Sequence, residues 1–322
     1  YPTYEWAYLD RGDAYKALEK DDLALLDYSE AIKLNPEYTY FYDQRIDLYK
    51  ELKKYDKALE DYTTLIKLDS TNSTTYINRG DFLADMGEDD LSLADYATAI
   101  DLSNSALSSS RAHNNRAVIY GDQGKIELEI EEYTKAITFD PFQLYYSNRG
   151  LAYKKLKKYD LALSDFNTAI ELYKEDSEKQ ARDYSKKAEC YEKMEKYDLA
   201  LSDYNTAIYL DQDNPSRIKD RADFYIKTKK YNLALQDYTK YIEFDPKNKF
   251  GYMYRSEAYY YLGDLDLELQ DYNTAIDLDN EYDYSYSGRA AYYFRNGNMQ
   301  KALEDYNTDI KINNSDAYSY KK

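Results

Sequence analysis

The sequence predicts an all-α fold built from about nine helix–turn–helix repeats, and the recurrence of one short block supports this prediction most directly. The block DYNTAI stands at 203–208 and again at 271–276, with close relatives at 27–32, 95–100 and 165–170. The block returns about every 34 residues, and the apolar residues around it follow a helical spacing. Its aromatic residue occurs in nine successive copies, at Tyr28, Tyr62, Tyr96, Tyr133, Phe166, Tyr204, Tyr238, Tyr272 and Tyr306. Such a chain is predicted to grow by stacking repeats rather than around a single core.

The second helix of each repeat, helix B, is defined by the residues on either side of this aromatic. An isoleucine follows it by four residues in every repeat, from Ile32 to Ile310, and a leucine or isoleucine precedes it by three. These spacings place the side chains on one stripe of an α-helix. A first helix, helix A, precedes helix B and carries paired aromatics such as Tyr8 and Tyr15. Between the two helices a basic residue, Tyr and Asp recur, and Asp56 is the predicted N-cap of its helix B.

Each repeat also carries a basic residue in helix A and an acidic residue just before the helix B aromatic. In an antiparallel pair of helices these two positions lie at similar heights. We therefore predict a ladder of ion pairs, within a repeat or between neighbouring repeats, that fixes the register of the helices, because guanidinium and carboxylate groups can pair through two hydrogen bonds. The alternative is that the basic column binds an acidic ligand. Repeat by repeat, the two columns hold Arg11 and Asp27, Arg45 and Asp61, Arg79 and Asp95, Arg116 and Glu132, Arg149 and Asp165, Lys187 and Asp203, Arg221 and Asp237, Arg255 and Asp271, and Arg289 and Asp305.

The charge balance limits the possible partners. With 43 basic and 61 acidic residues, the chain has a net charge of −18 at pH 7. Such a surface repels nucleic acid and anionic lipid, so neither is an expected partner. No stretch approaches the roughly 18 apolar residues of a membrane-spanning helix, so membrane insertion is not expected. The charge is typical of a soluble surface, and the alternative interpretation is a basic peptide ligand.

Residues that could carry catalysis or bind a metal are scarce. His113 is the only histidine and is expected to pack in helix A of repeat 4. Cys190 is the only cysteine and is expected to be a small, half-buried residue. No phosphate-binding loop, nucleophile elbow or calcium-binding loop occurs in the sequence. We therefore expect no metal, no cofactor and no enzymatic activity.

The repeats resemble those of the tetratricopeptide repeat family. In that family, helix A carries a bulky residue, a small residue and a Tyr. Helix B carries an Ala, an aromatic residue, a second Ala and a final Pro. The resemblance extends over essentially the whole chain. It implies a right-handed α-solenoid superhelix that forms a single domain over 1–322, with 317–322 starting a cap or a tenth repeat. Repeat 1 matches the pattern at Tyr8, Gly12, Tyr15, Ala24, Tyr28, Ala31 and Pro36. The predicted repeats span about 5–38, 39–72, 73–109, 110–142, 143–180, 181–214, 215–248, 249–282 and 283–316.

The resemblance implies that helix A lines a concave groove that holds a peptide. Asn78, Asn115 and Asn148 occupy one inward position of repeats 3 to 5, where the family commonly binds a peptide backbone through an amide. A local polar contact between repeats is the alternative interpretation. Some members of the family hold a C-terminal carboxylate with a Lys and an Asn in the first repeat. Because Leu9 and Asp13 stand at those positions here, that clamp is not predicted.

Two further groups are candidate binding residues of the groove. A basic cluster in repeats 5 and 6 is expected either to bind an acidic peptide tail or to form a solvated charged face. The cluster consists of Lys154, Lys155, Arg182, Lys186 and Lys193. An aromatic group in repeats 8 and 9 is expected to anchor a peptide, or to reflect only the 43 tyrosines of the chain. That group consists of Tyr254, Tyr260, Tyr261, Tyr284 and Phe294.

The expected function is that of a non-catalytic scaffold or adaptor that binds a peptide segment of another protein. One alternative is a regulatory or substrate-recruiting region of a larger enzyme. This alternative arises because the sequence begins at Tyr1 and suggests a fragment. Another alternative is an array that associates with itself through its open ends. The compartment stays open: the cytoplasm is favoured, no signal peptide begins the sequence, and a lost targeting segment is compatible with the fragment.

Overall fold

The computed structural model describes residues 4–319, with side chains described through residue 313, and these residues form eighteen α-helices and no β-strand. The predicted all-α fold of about nine repeats is confirmed, since helix A and helix B alternate along this part of the chain. The A helices are α1 Tyr4–Ala17, α3 Thr39–Glu51, α5 Ser73–Asp85, α7 Ala106–Asp122, α9 Gln143–Lys155, α11 Ser177–Lys193, α13 Pro215–Lys227, α15 Lys249–Leu262 and α17 Asp283–Arg295. The B helices are α2 Asp21–Leu34, α4 Tyr55–Leu68, α6 Asp89–Leu102, α8 Ile126–Phe139, α10 Tyr159–Leu172, α12 Tyr197–Leu210, α14 Tyr231–Phe244, α16 Leu265–Leu278 and α18 Met299–Ser319.

The chain divides into an N-terminal unit, Tyr1–Lys157, and a C-terminal unit, Lys158–Lys322. The boundary falls within repeat 5, between α9 and α10. Inside each unit every helix packs on the next one along the chain, and α5 also contacts α7, as α11 contacts α13. The single domain over 1–322 and the repeat boundaries stay predictions.

The core of a repeat forms where the helix B aromatic meets the small residue of helix A. Tyr28 is fully buried, and a Cβ atom at Gly12 would lie 2.6 Å from its Cε1 atom. In repeat 3 a Cβ atom at Gly80 would lie 2.8 Å from Cε1 of Tyr96. A small residue therefore lets the two helices approach closely enough for the tyrosine ring to fill the space between them.

A second contact joins each repeat to the one before it. We call the residue three places after the basic residue of helix A the covering position. In α5 it is Phe82, whose ring centroid lies 5.8 Å from that of Tyr55 and 5.9 Å from that of Tyr62 on α4. In α13 it is Phe224, whose ring lies 5.5 Å from that of Tyr204 on α12. Because full burial of a phenylalanine contributes about 2–3 kcal/mol, this contact supplies much of the stability that a lone helix pair lacks.

The turn between the helices explains one wrong prediction. Every helix A is followed by a residue with left-handed backbone geometry, and Lys53 has this role in repeat 2 with a φ of 55°. Lys54 is then the N-cap of α4, with no side-chain cap bond, so Asp56 is the second residue of the helix and not its cap. The prediction was wrong because the left-handed residue makes a tight turn, and the helix therefore starts before Asp56. The negative charge of Asp56 still stabilises the first turn of α4 by its interaction with the helix dipole.

The end of the described chain differs from the other repeats. α18 runs for 21 residues to Ser319, whereas the other B helices have 14. The cap or tenth repeat predicted at 317–322 falls partly on residues 320–322, which lie outside the described residues.

Candidate functional site

The basic and acidic columns of the repeats meet in two-bond ion pairs. In repeat 2, Arg45 donates from Nε to Asp61 Oδ2 at 2.8 Å and from Nη2 to Oδ1 at 2.7 Å. The aspartate side chain is 8% exposed, so the carboxylate faces this arginine rather than solvent. The same geometry, with bonds of 2.6–2.9 Å, joins Arg11–Asp27, Arg79–Asp95, Arg221–Asp237, Arg255–Asp271 and Arg289–Asp305.

Three repeats vary this arrangement. In repeat 4, Glu132 Oε2 accepts a bond from Arg116 Nε at 2.7 Å and lies 2.8 Å from Nδ1 of His113. Burial raises the pKa of Glu132, but these neighbours together lower it to about 2. In repeat 6, Lys187 Nζ and an Asp203 oxygen are 3.6 Å apart. In repeat 5, Arg149 and Asp165 lie in different units, and their pairing stays a prediction.

The arginines also reach the preceding repeat, where their partners are amide and hydroxyl oxygens and not the predicted carboxylates. Arg221 donates from Nη1 to Asn205 Oδ1 at 2.7 Å, and Arg289 does the same to Asn273. Arg45 makes the equivalent bond to Ser29 Oγ at 2.8 Å. One guanidinium group therefore connects both helices of its own repeat with helix B of the repeat before.

Removal of one carboxylate from the ladder should destabilise the fold. We expect Asp95→Ala to lower the free energy of unfolding by about 2–3 kcal/mol, since it leaves the guanidinium of Arg79 partly buried without its acceptor. Asp101→Ala, at an exposed position of the same helix, is the control and should change it by less than about 0.5 kcal/mol. Urea titration followed by circular dichroism measures both, and equal effects would contradict a structural role for the pair.

A further acidic column escaped the sequence analysis. Two residues after the basic residue of helix A, Asp13 accepts a bond from Tyr28 Oη at 2.7 Å. Asp81 accepts one from Tyr96 at 2.7 Å, and Asp223 accepts one from Tyr238 at 2.8 Å. The signal was present, because an acid occupies this position in six of nine repeats, at Asp13, Asp47, Asp81, Glu189, Asp223 and Glu257. Among 61 acidic residues it was indistinguishable from background.

In the N-terminal unit, two of the predicted asparagines belong to one polar cluster, in which Asn115 bonds to Asp81 and Asn78 bonds to Arg111. Asn115 donates from Nδ2 to Asp81 Oδ1 at 2.6 Å, and Arg111 donates from Nη2 to Asp81 Oδ2 at 2.6 Å. The same Arg111 nitrogen lies 3.0 Å from Asn78 Oδ1. Asn78 and Asn115 thus take part in polar contacts between α5 and α7, and their contact with a peptide stays a prediction.

Two clefts open beside these residues. The first has a volume of about 310 Å³ and is lined by Tyr96 and Asn115 together with Asp81, Asp85, Asp89 and Asp122. The second has a volume of about 170 Å³, includes Asn148, Tyr133 and Glu129 in its lining, and shares Asp122 with the first. Asp85 and Asp122 are exposed at the rim. The clefts present carboxylates to solvent, so they favour a cationic group over an anionic one.

The acidic character continues into repeat 2. Asp43 and Asp47 lie one helical turn apart on α3, and burial together with the charge of Asp47 raises the pKa of Asp43 to about 6. Burial and the charges of Asp47, Asp43 and Asp81 all raise the pKa of Tyr62, so the three carboxyl groups lie near the same tyrosine. We call Asp43, Asp47, Asp81, Asp85 and Asp122 the acidic face.

Asp43 should titrate well above an ordinary aspartate. Because its folded pKa of about 6 exceeds the unfolded value of about 3.9, the folded chain binds more protons between these pH values. Its contribution to stability is therefore present at low pH and declines as the pH rises from about 4 to 6. Carboxyl NMR titration should show this pKa and its decrease in Asp47→Asn, whereas a midpoint near 4 would contradict the assignment.

The predicted basic cluster is distributed over both units, and three of its members lie beside acidic side chains. In the N-terminal unit, Lys155 Nζ pairs with Glu129 at 3.2 Å. In the C-terminal unit, Lys186 pairs with Glu189 at 2.7 Å, while Arg182 Nε lies 3.6 Å from Asp183. Lys193 is exposed, and Lys154 is half-exposed beside Lys155. Binding of an acidic tail by this cluster stays a prediction, and the pairs within the chain weaken it.

The predicted aromatic group lies in the C-terminal unit. Tyr254 is half-buried against Tyr238, and the Nζ atom of Lys219 lies 4.6 Å from the Tyr254 ring centroid. The other four predicted aromatics are exposed. Arg295 lies 4.2 Å from the ring centroid of Tyr260, and Tyr261 stacks on Tyr231 at 4.6 Å. A peptide-binding role for Tyr254, Tyr260, Tyr261, Tyr284 and Phe294 stays a prediction.

The residues first considered for chemistry are buried. His113 is stacked on Phe139 with a centroid distance of 5.6 Å, and Cys190 is fully buried rather than half-buried. Among the described residues, no group of three or more His, Cys, Asp and Glu side chains is arranged to hold a metal ion. None of the described helices has the length and apolar character needed to cross a bilayer.

Comparison with known proteins gives consistent results for the fold. Two family models described as tetratricopeptide repeat match this chain, one over 142–213 and the other over 7–38, 47–72, 110–143 and 220–248. A search of curated protein sequences gave no significant match.

Solved structures resemble the chain at low sequence identity. A tetratricopeptide repeat protein from Parabacteroides merdae is 17% identical, with 74% of this chain and 93% of that one covered and a TM-score of 0.58. The C-terminal part of a repeat protein of this kind from Cytophaga hutchinsonii is 20% identical, with 76% and 98% covered and a TM-score of 0.59. Pseudomonas aeruginosa pilF is 20% identical, with 69% and 98% covered and a TM-score of 0.53. At these identities the likeness concerns the fold alone.

Proposed function

Since this chain belongs to the tetratricopeptide repeat family, we propose that it is a non-catalytic scaffold that binds a peptide segment of a partner protein along its A helices. The observation that carries the proposal is the cleft of about 310 Å³ beside α5 and α7, which combines an amide, a tyrosine and several carboxylates. Such a site offers hydrogen bonds to a peptide backbone and charge to its side chains.

The acidic face favours a peptide that carries lysine or arginine. Asp81 already accepts bonds from Tyr96, Asn115 and Arg111, so in this proposal it organises the cleft. The exposed carboxylates of Asp85 and Asp122 stand at the rim, where a cationic side chain can reach them. A net charge of −18 adds long-range attraction for such a partner.

The buried titratable side chains of this chain have structural roles, which supports a function without catalysis. The imidazole of His113 is buried between Glu132 and Phe139, where a substrate has no access to it. The raised pKa of Asp43 is explained by its burial and by the charge of Asp47, without a catalytic role.

The test uses a capped peptide of alternating lysine and serine, and an equivalent peptide of glutamate and serine. We expect the basic peptide to bind at low salt, and the double variant Asp85→Asn with Asp122→Asn to weaken its affinity about fivefold or more. The control, Asp90→Asn with Asp101→Asn, removes the same charge from exposed positions on α6 and should weaken it less than about twofold. Isothermal titration calorimetry measures all three.

The same calorimetric titration is repeated at several pH values. Lysine stays charged from pH 5 to 7.5, while Asp43 ionises over this range because its pKa is about 6. Affinity for the basic peptide should therefore rise with pH. Equal losses in the site and control variants would contradict the cleft as the binding site. Preference for the acidic peptide would contradict the choice of ligand and favour the basic cluster instead.

A further inference from the structure

The outer side of four B helices in the C-terminal unit carries almost no charge. On a B helix, the positions five and two residues before the aromatic, and one, two and six residues after it, lie opposite the buried side. On α10, α12, α14 and α16 these twenty positions hold one charged residue, Lys240. The same positions on α2, α4, α6 and α8 hold five, which are Glu30, Lys57, Glu60, Glu131 and Lys135. Since charged residues make up 32% of the chain, the uncharged surface distinguishes this unit.

Two rows of apolar side chains follow this outer side on α10 and α12. Leu161 and Leu199, near the beginnings of these helices, are 49% and 48% exposed. Eleven residues later, near the helix ends, Leu172 is 44% exposed and Leu210 is half-exposed. Eleven residues make about three turns, so the two rows lie on one side of each helix and roughly 16 Å apart. We call the outer positions of α10 and α12 the neutral face.

The side chains between the two rows are small and polar but uncharged. They are Ser164, Asn167, Thr168, Ser202, Asn205 and Thr206. Hydroxyl and amide groups can form hydrogen bonds with groups of their own kind. A second copy of this chain has a net charge of −18 and is repelled at long range, but the neutral face itself adds no repulsion. The neutral face is therefore a surface on which two copies can approach each other.

Charges at the ends of α12 favour one orientation of a second copy. Three residues before Leu199 stands Lys196, and three residues after Leu210 stands Asp213. Both charged side chains are exposed. If α12 lies antiparallel to α12 of a second copy, the leucine rows meet and each lysine faces the aspartate of the other copy.

The other helices of the unit indicate where such a contact is centred. On α10 the equivalent end residues are Lys158 and Glu175, which are also exposed and opposite in charge. On α14 both end residues are lysines, at positions 230 and 247. On α16 both are acids, at positions 264 and 281. Antiparallel pairing is therefore electrostatically favourable on α10 and α12, and unfavourable on α14 and α16.

We propose that two copies of this chain pair through the neutral face, with α10 and α12 antiparallel to the same helices of the second copy. A twofold axis relates the copies, so each contact occurs twice. Leu199 then lies against Leu210 of the second copy, and Lys196 pairs with Asp213. With the exposed Tyr209 and the four charged end residues, the contact uses about fifteen residues of each copy. Standard interfaces use roughly 20–30, so the dimer is a weak one.

A charge placed in one leucine row should prevent dimerisation. In sedimentation equilibrium we expect the average mass of the unchanged protein to rise with concentration toward that of a dimer and no further, because a twofold contact closes. Leu199→Arg should lower the association constant about tenfold or more. Leu91→Arg is the matched control, since Leu91 has the same helix position on α6 and is 56% exposed. This control should change the association constant less than about twofold.

An exchange of charges tests the antiparallel orientation. Lys196→Glu and Asp213→Lys should each weaken dimerisation about threefold or more at low salt, because like charges then face each other twice. An equimolar mixture of the two variants should dimerise as well as the unchanged protein, since each new glutamate faces a new lysine. Lys20→Glu is the control, because Lys20 is the N-cap of α2 as Lys196 is of α12.

Circular dichroism verifies that each variant keeps its helical content. A protein that stays monomeric at all concentrations would overturn the proposal. Equal losses for Leu91→Arg and Leu199→Arg would also overturn it, because they would show a general effect of added charge. A mixture of the charge variants that associates no better than either alone would contradict the antiparallel contact.

Discussion

The packing of each helix pair on the preceding one is the contact on which the rest of this structure depends. A single pair buries its aromatic against a small residue, as Tyr28 does beside Gly12, but leaves the outer stripe of helix B uncovered. The next helix A supplies the missing cover through residues such as Phe82 and Phe224. Because the same stripe must be covered each time, the same residue types return at a fixed spacing.

Electrostatic contacts make this stacking specific. The guanidinium of Arg221 holds Asp237 in its own repeat with two bonds and Asn205 in the previous repeat with a third. An apolar stripe tolerates sliding of one helix along another, whereas these directed bonds have one geometry. The hydrogen bonds of these arginines are thus used within the fold. In the proposed function, the exposed carboxylates of Asp85 and Asp122 are the groups that attract a partner.

The sequence predicted the helices and the charged columns because both recur at a fixed spacing, and such a spacing is visible in the sequence itself. Asp56 was placed wrongly as an N-cap because the turn depends on the left-handed geometry of Lys53, and a lysine gives no sign of that geometry. The convergence of Asn115 on Asp81 and the pairing of Lys155 with Glu129 join residues of different repeats. Such pairs depend on how the repeats stack. The raised pKa of Asp43 depends on burial, which composition does not contain.

Native-state hydrogen exchange at low protein concentration tests most directly whether stability comes from contacts between neighbouring repeats. If it does, helices with a neighbour on only one side open more easily than those with two. Amides of α1 and α18 should then exchange fastest, and protection should increase toward the middle helices of each unit. Equal protection of terminal and middle helices would contradict this account, because it would mean that the chain unfolds as one cooperative core.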